Sequence, residues 1–156
     1  MTDAAGRESR DMVLEPSLRE RHLVDTSAWS KARNDDRLAV VFDDAVRGGL
    51  IVTCDLVALE LLRSARNMER FTHQSSLLGE LTSVPVGAEQ FVRAREVQSM
   101  LADEGHHRGV RPADLLIAAA AEAASLPLLH YDHDYDLVAS VTGQPTRWLA
   151  PRGSLL

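Results

Sequence analysis

Four acidic side chains stand out because each lies in an apolar stretch of sequence that should bury its surroundings. They are Asp25 after an apolar strand, Glu60 between leucines, Asp114 at the start of an alanine-rich run and Asp132 after Leu-Leu-His-Tyr. Buried carboxylates repel one another and are costly unless a cation pairs with them. Three or four converging carboxylate oxygens are typical ligands of Mg²⁺ or Mn²⁺ rather than of a softer metal. Taken together, the four acids predict a divalent-metal site.

The elements that must position these acids alternate between strands and helices, which predicts an α/β fold with a mainly parallel sheet. The pattern predicts helices over residues 35–47, 55–66, 68–81, 88–104, 112–125 and 134–141. It predicts strands over residues 22–24, 84–86, 126–131 and 146–149. The apolar run 50–52 is too short to decide, and Pro85 places the strand at 84–86 on an edge or at a strand end.

Two of the acids fall where parallel strands end. Asp25 and Asp132 each follow a predicted strand, and ligands of open α/β sheets bind outside the carboxyl ends of the strands. The two carboxylates can therefore converge if their strands are neighbours. Each acid also has a simpler interpretation: Asp25 and Asp132 as turn residues, Asp114 as a partner of its helix dipole, and Glu60 as a solvated helix position.

Composition limits the function classes. The net charge of −6 argues against a general nucleic-acid coat, because non-specific affinity comes mostly from Lys and Arg on phosphates. A nuclease stays possible, since a bound cation would offset part of the acidic charge. A basic rim of Arg63, Arg66, Arg70, Arg108 and Arg111, with His106 and His107, could hold the phosphate backbone.

Length and cysteine usage indicate one cytoplasmic domain. The 156 residues are enough for a single core, and the single cysteine, Cys54, excludes an intramolecular disulfide. No stretch has the length and apolar character of a membrane span or of a signal peptide. We expect a flexible N-terminal extension over residues 1–20, a domain over 21–150 and a C-terminal tail over 151–156.

Four strings carry a family resemblance. They are Leu-Val-Asp-Thr-Ser-Ala-Trp (23–29), Thr-Cys-Asp-Leu-Val-Ala-Leu-Glu-Leu-Leu (53–62), Arg-Pro-Ala-Asp-Leu-Leu-Ile-Ala-Ala-Ala-Ala-Glu (111–122) and Leu-Leu-His-Tyr-Asp-His-Asp-Tyr-Asp (128–136). In this order and at these separations they resemble the four motifs of PIN-domain nucleases, and most of all the VapC toxins of type II toxin–antitoxin systems. The resemblance covers about residues 21–150. It implies a three-layer fold whose central sheet has four to five short strands.

The resemblance also implies the site residues. Asp25, Glu60, Asp114 and one acid of the last motif would hold Mg²⁺ or Mn²⁺, with Asp132 preferred and Asp134 as the alternative fourth acid. Ser27 or Thr26 would hydrogen-bond a carboxylate or a metal-held water. The family often has Phe where this chain has Tyr135, which is a mild departure.

The implied activity is hydrolysis of RNA phosphodiester bonds by a toxin. Glu60 or Asp132 would accept a proton from the attacking water, and Arg63, Arg66 and Arg111 are candidate RNA contacts. The implied partners are a VapB-like antitoxin and a second copy of the chain in a homodimer. The alternative function is a catalytically inactive PIN-like module that binds RNA or protein.

Two other sites fit the residues less well. A haloacid-dehalogenase phosphatase also begins with a strand-end aspartate, but it needs a second aspartate where this chain has Ser27. A zinc site wants converging N or S ligands, and here Cys54 is far in sequence from His130 and His133.

Overall fold

The computed structural model describes residues 18–156, in which five strands and seven α-helices alternate along the chain. The strands are β1 (His22–Val24), β2 (Ile51–Cys54), β3 (Thr82–Val84), β4 (Leu128–His130) and β5 (Thr146–Trp148). The helices are α1 (Thr26–Arg33), α2 (Asp36–Arg47), α3 (Asp55–Arg63), α4 (Met68–Glu80), α5 (Ala88–Asp103), α6 (Pro112–Ala123) and α7 (Asp134–Thr142). The helices flank the sheet, so the predicted three-layer α/β class is confirmed.

The strand order decides where the site forms. The five strands described are all parallel and lie in the order β3-β2-β1-β4-β5. The chain therefore starts at the centre, extends to the β3 edge and then returns to the other side of β1. Leu23 in β1 is in register with Val52 of β2 on one side and with Leu128 of β4 on the other. In open α/β sheets, ligands bind at such a change of direction, outside the carboxyl ends of the strands.

The core lies around the three central strands and α6. Every residue of β1, β2 and β4 is buried, as expected for parallel strands that are covered on both faces. In α6, residues 114–121 are all buried, and the run of alanines allows close packing against α5. Although α6 is apolar, no helix in residues 18–156 has both the length and the apolar character needed to cross a bilayer.

Some element ends differ from the sequence prediction. The bounds predicted for the strand at 84–86 are wrong by two residues, since β3 runs from Thr82 to Val84. The strand ends before Pro85 because proline has no N–H to donate to the neighbouring strand. This strand is at the sheet edge, as Pro85 indicates. The helix predicted over 55–66 ends at Arg63, where Ser64 Oγ donates to the Leu61 carbonyl and caps the last turn. The undecided run at 50–52 belongs to β2.

The predicted N-terminal extension falls mostly outside the described residues. Of its last three residues, Leu18 is buried, and Glu20 forms an ion pair in which Arg147 Nη2 lies 3.2 Å from Glu20 Oε2. This end of the described chain is therefore attached to the β5 side of the sheet.

Candidate active site

Asp25 is the N-cap of α1, directly after β1. Its backbone N–H donates to the Leu129 carbonyl of β4 at 2.9 Å, which holds this strand end against the neighbouring strand. The carboxylate is buried, and its Oδ2 accepts from the Ser27 N–H at 3.0 Å and from Ser27 Oγ at 2.5 Å. An N-cap aspartate satisfies free N–H groups of the first helical turn. The capping preference alone therefore explains part, but not all, of the Asp25 environment.

Ser27 links Asp25 to the segment after β4. While it donates to Asp25, its Oγ accepts from the backbone N–H of Tyr131 at 2.9 Å. One small hydroxyl therefore connects the two strand ends where the sequence places Asp25 and Asp132. The hydrogen bond from Ser27 Oγ to Asp25 Oδ2 is of the kind expected from the sequence between Ser27 and a carboxylate.

Asp114 lies in the first turn of α6 and is 1% exposed. The Arg111 guanidinium donates to both of its oxygens, from Nε to Oδ2 at 3.2 Å and from Nη2 to Oδ1 at 3.1 Å. Burial nevertheless raises the pKa of Asp114 to about 6, with the Arg111 pair opposing the shift and the charges of Asp25 and Asp132 adding to it. The ionised form of Asp114 is therefore disfavoured, mainly by burial and secondly by the neighbouring acids.

Glu60 projects from α3 and is half-buried. Thr26 Oγ1, from the first turn of α1, donates to Glu60 Oε2 at 2.5 Å. This contact ties α3 to the Asp25 end of α1. The simpler interpretation of Glu60 as a freely solvated helix residue does not fit its burial or its partner.

The acids of the last motif lie beside Asp114. One carboxylate oxygen from each of Asp114, Asp132 and Asp134 lies within 4.8 Å of the other two. Asp132 Oδ1 accepts from the Asp134 N–H at 2.9 Å, and the Asp132 N–H donates to His130 Nδ1 at 3.2 Å. Burial, followed by the charge of Asp132, raises the pKa of Asp134. The structure thus brings both candidates for the fourth acid to one place and does not separate them.

Tyr135 is a part of the site to which sequence reasoning gave no role. Its fully buried hydroxyl donates to Asp25 Oδ1 at 2.7 Å and lies 3.4 Å from Asp114 Oδ1. Burial and the neighbouring carboxylates raise the pKa of Tyr135 well above its ordinary value, so the hydroxyl keeps its proton. The one signal in the sequence was the position of this tyrosine among the acids of the last motif.

The other predicted site residues are placed differently. Arg63 and Arg66 are exposed around the end of α3, as the basic-rim expectation requires. Arg111 is also exposed, but its guanidinium is engaged by Asp114. Asp25 and Glu60 are not members of the three-acid group, and their oxygens accept hydrogen bonds from Ser27, Tyr135 and Thr26.

The donor set suits a hard divalent cation. Its members are carboxylates at the carboxyl end of the sheet, the type of ligand that Mg²⁺ and Mn²⁺ prefer. Burial and the neighbouring acids disfavour the ionised form of Asp114, which raises its pKa. A bound cation would favour that ionised form. Asp114, Asp132 and Asp134 could hold such an ion, with Asp25 and Glu60 beside it.

Comparison with known proteins gives the family. The PIN domain profile matches residues 22–141. Ribonuclease VapC18 of Mycobacterium tuberculosis is 46% identical over 134 residues, which cover 85% of this chain and 97% of that protein. Ribonuclease VapC21 of the same species is 36% identical over 141 residues, covering 86% of this chain and 97% of that one.

Solved structures share the fold. A chain in the DNA-bound VapBC structure from Salmonella typhimurium aligns with a TM-score of 0.66 and 14% identity, over 84% of this chain and 99% of that chain. A chain of VapBC-1 from nontypeable Haemophilus influenzae aligns with a TM-score of 0.64 and 15% identity, over 82% of this chain and 97% of that chain. The profile matches most of the chain, and the two relatives are matched over nearly their whole length. Together these matches show that this chain belongs to the PIN-domain family, among the VapC ribonucleases.

Proposed function

We propose that the chain is a Mg²⁺- or Mn²⁺-dependent endoribonuclease and the toxin of a toxin–antitoxin pair. The observation that carries the proposal is the group of carboxylate oxygens from Asp114, Asp132 and Asp134, all within 4.8 Å of one another beside the buried Asp25. The names of the relatives, VapC18 and VapC21 ribonucleases, support RNA as the substrate.

Metal-binding roles divide among the acids. We assign Asp25, Asp114 and Asp132 as the main ligands, with Glu60 and Asp134 as further acids of the site. A divalent cation held there would lower the pKa of the attacking water and would stabilise charge on the phosphate oxygens. The chain's own contribution is a set of oriented carboxylates, and their orientation depends on hydrogen bonds from Ser27, Thr26 and Arg111.

Glu60 is our choice for the general base. The Thr26 hydroxyl holds the carboxylate through Oε2, so the other oxygen, Oε1, can accept a proton from water while the side chain stays in place. Glu60 lies outside the three-acid group, whereas Asp132 lies within it. We therefore prefer Glu60 over Asp132 for proton transfer, and Asp132 for metal binding.

RNA would be held by arginines at the rim. Arg63 follows Glu60 by three residues on α3, so the two side chains share one side of that helix, and Arg66 is exposed just beyond its end. Guanidinium groups are suited to phosphate because they donate two hydrogen bonds in one plane. Arg111 would add a third contact when it is not engaged by Asp114.

The proposed partners follow from the relatives. The structures that share the fold are VapBC toxin–antitoxin complexes, which supports a VapB-like antitoxin for this chain. We also propose a homodimer and a cytoplasmic location. The alternative of an inactive RNA- or protein-binding module is not favoured, since the full set of acids is present and three of them are gathered.

Cleavage of RNA by the purified full chain, free of antitoxin, tests the proposal. Labelled RNA and DNA of the same sequence are incubated with Mg²⁺, with Mn²⁺ or with EDTA. We expect metal-dependent cleavage of RNA that is abolished by Asp25→Asn or Asp114→Asn, while circular dichroism shows a retained fold. Asp103→Asn, at the exposed end of α5, is the matched control and should cleave normally. Full activity in either site variant would contradict the assignment.

A further inference from the structure

We propose that Tyr135 is a positioning residue of the metal site, whose hydroxyl holds the carboxylates of Asp25 and Asp114 in the arrangement that binds the cation. The inference rests on the proposed function, because it assumes that these two acids bind a divalent metal. It gives a role to a side chain that approaches the metal only through other residues.

The hydroxyl of Tyr135 lies between the two acids. It is 2.7 Å from Asp25 Oδ1 and 3.4 Å from Asp114 Oδ1. A phenol has one proton to donate, and the shorter distance, which is ordinary for an O–H···O bond, assigns that proton to Asp25. The longer contact keeps the phenol oxygen against Asp114. A single hydroxyl therefore lies between carboxylates from two elements, the end of β1 and the start of α6.

Asp25 is held at both oxygens by independent parts of the chain. Ser27 donates to Oδ2 from within the same helical turn, whereas Tyr135 donates to Oδ1 from α7. Rotation of the carboxylate about its Cβ–Cγ bond would break both sets of contacts. Without the phenol, only the Ser27 hydrogen bonds to Oδ2 would oppose that rotation. The tyrosine therefore adds a second, independent hydrogen bond that fixes the orientation of the Asp25 carboxylate.

Packing alone does not account for a tyrosine here. The side chain is 0% exposed, and its ring lies 5.1 Å from the His130 ring, centroid to centroid. A phenylalanine would fill the same space and would carry no polar atom into the core. A buried hydroxyl must be hydrogen-bonded to be tolerated, and this one donates to Asp25 Oδ1, with Asp114 Oδ1 3.4 Å away.

Groups that hydrogen-bond metal ligands orient them, and removing such groups typically weakens metal affinity by about 10- to 100-fold. We therefore expect Tyr135→Phe to weaken Mn²⁺ binding by about 10-fold. The thermal stabilisation that saturating Mn²⁺ gives to the protein should become smaller in the same variant. A hydroxyl that served only the fold would lower the stability equally with and without the metal, and would leave the affinity unchanged.

The test is a Mn²⁺ titration of the EDTA-treated full chain, followed by the electron paramagnetic resonance signal of free Mn²⁺ and by calorimetry. The matched control is Tyr131→Phe, because the Tyr131 hydroxyl contacts Leu155 N and the Pro151 carbonyl rather than an acid of the site. The control keeps the Tyr131 backbone N–H that donates to Ser27. Its affinity should stay within about twofold of the wild-type value, below the change expected for a group that orients a ligand.

Each outcome has one meaning. Weaker binding by Tyr135→Phe with a normal control supports the inference. Binding by Tyr135→Phe within twofold of wild type, or tighter binding, overturns it, and so does a variant that fails to fold, because the hydroxyl then serves the fold. If the wild-type chain itself binds no Mn²⁺, the proposed function fails, which is a distinct result.

Discussion

Arg111 and Asp114 form a two-point ion pair across the first turn of α6, with N···O distances of 3.2 and 3.1 Å. The pair is asymmetric, because the Asp114 side chain is 1% exposed and the Arg111 side chain is 66% exposed. The buried negative charge is thus balanced by a cation that is itself largely in solvent. Without it, Asp114 would face Asp25 and Asp132 with no positive partner of its own.

Removing the guanidinium should destabilise the metal-free protein. We expect Arg111→Met to lower the free energy of unfolding at pH 7.5 in EDTA by about 1 kcal/mol, a modest figure because the arginine is largely solvated. Urea denaturation measures the change. Arg108→Met removes a neighbouring exposed cation and should have no effect. An equal loss in both variants would show that general charge, rather than the Asp114 pair, is responsible.

Asp114 should make stability and metal binding depend on pH. Its folded-state pKa is raised to about 6, above the ordinary value, so between the two values the folded protein binds more protons than the unfolded one. The free energy of unfolding therefore falls as the pH rises from about 4 to about 6, and then levels off. Asp114→Asn removes this ionisation, so its stability relative to wild type should rise by about 2 kcal/mol between pH 4 and pH 7.5.

Urea denaturation of both proteins in EDTA at a series of pH values checks this prediction. Below about pH 6, metal binding must displace the Asp114 proton, so wild-type Mn²⁺ affinity should fall there. A stability difference between the two proteins that does not change with pH would contradict the raised pKa.

The Thr26–Glu60 hydrogen bond should matter for catalysis more than for RNA binding. Thr26→Val keeps the shape but removes the donor at 2.5 Å from Glu60 Oε2. We expect kcat for RNA cleavage to fall by about 10-fold with little change in KM, because the proposed base loses its orientation. Thr82→Val, on the exposed edge strand, is the control. A rise in KM alone would instead assign Thr26 to substrate binding.

Asp132 and Asp134 can be distinguished by single substitutions. Asp132 is anchored at the end of β4 by its own N–H to His130 and by the N–H of Asp134. We expect Asp132→Asn to lower the cleavage rate by about 100-fold and Asp134→Asn by about 10-fold, since removing a ligand costs more than removing a supporting charge. Single-turnover cleavage rates measure both. The reverse order would make Asp134 the fourth acid.

The exposed arginines after Glu60 should determine how RNA binding depends on salt. We expect the double variant Arg63→Gln/Arg66→Gln to reduce the slope of log affinity against log salt by about 0.7 for each phosphate that the protein no longer neutralises. Binding is measured with a labelled single-stranded RNA in EDTA, which prevents cleavage. Arg37→Gln/Arg47→Gln, on α2, is the control pair. An unchanged slope in the test variant would remove Arg63 and Arg66 from the RNA interface.

Local patterns in the sequence were enough to predict most of the elements and to single out the candidate acids. Asp25 and Asp114 could be placed because strand ends, helix caps and buried apolar runs depend on neighbours in the chain. The same rules placed β3 two residues too late, because its end depends on which N–H groups the ladder with β2 uses. Element ends were therefore less predictable than the elements themselves.

The contacts between distant residues required the tertiary structure. The pairing of β1 with β4 brings Asp25 and Asp132 to adjacent strand ends, and no local pattern in the sequence encodes this pairing. Tyr135 reaches Asp25 across 110 positions of sequence, and Thr26 reaches Glu60 across 34. Residue type and spacing thus specified which groups could do the chemistry, while strand order and helix packing decided which oxygens meet and which hydrogen bonds hold them.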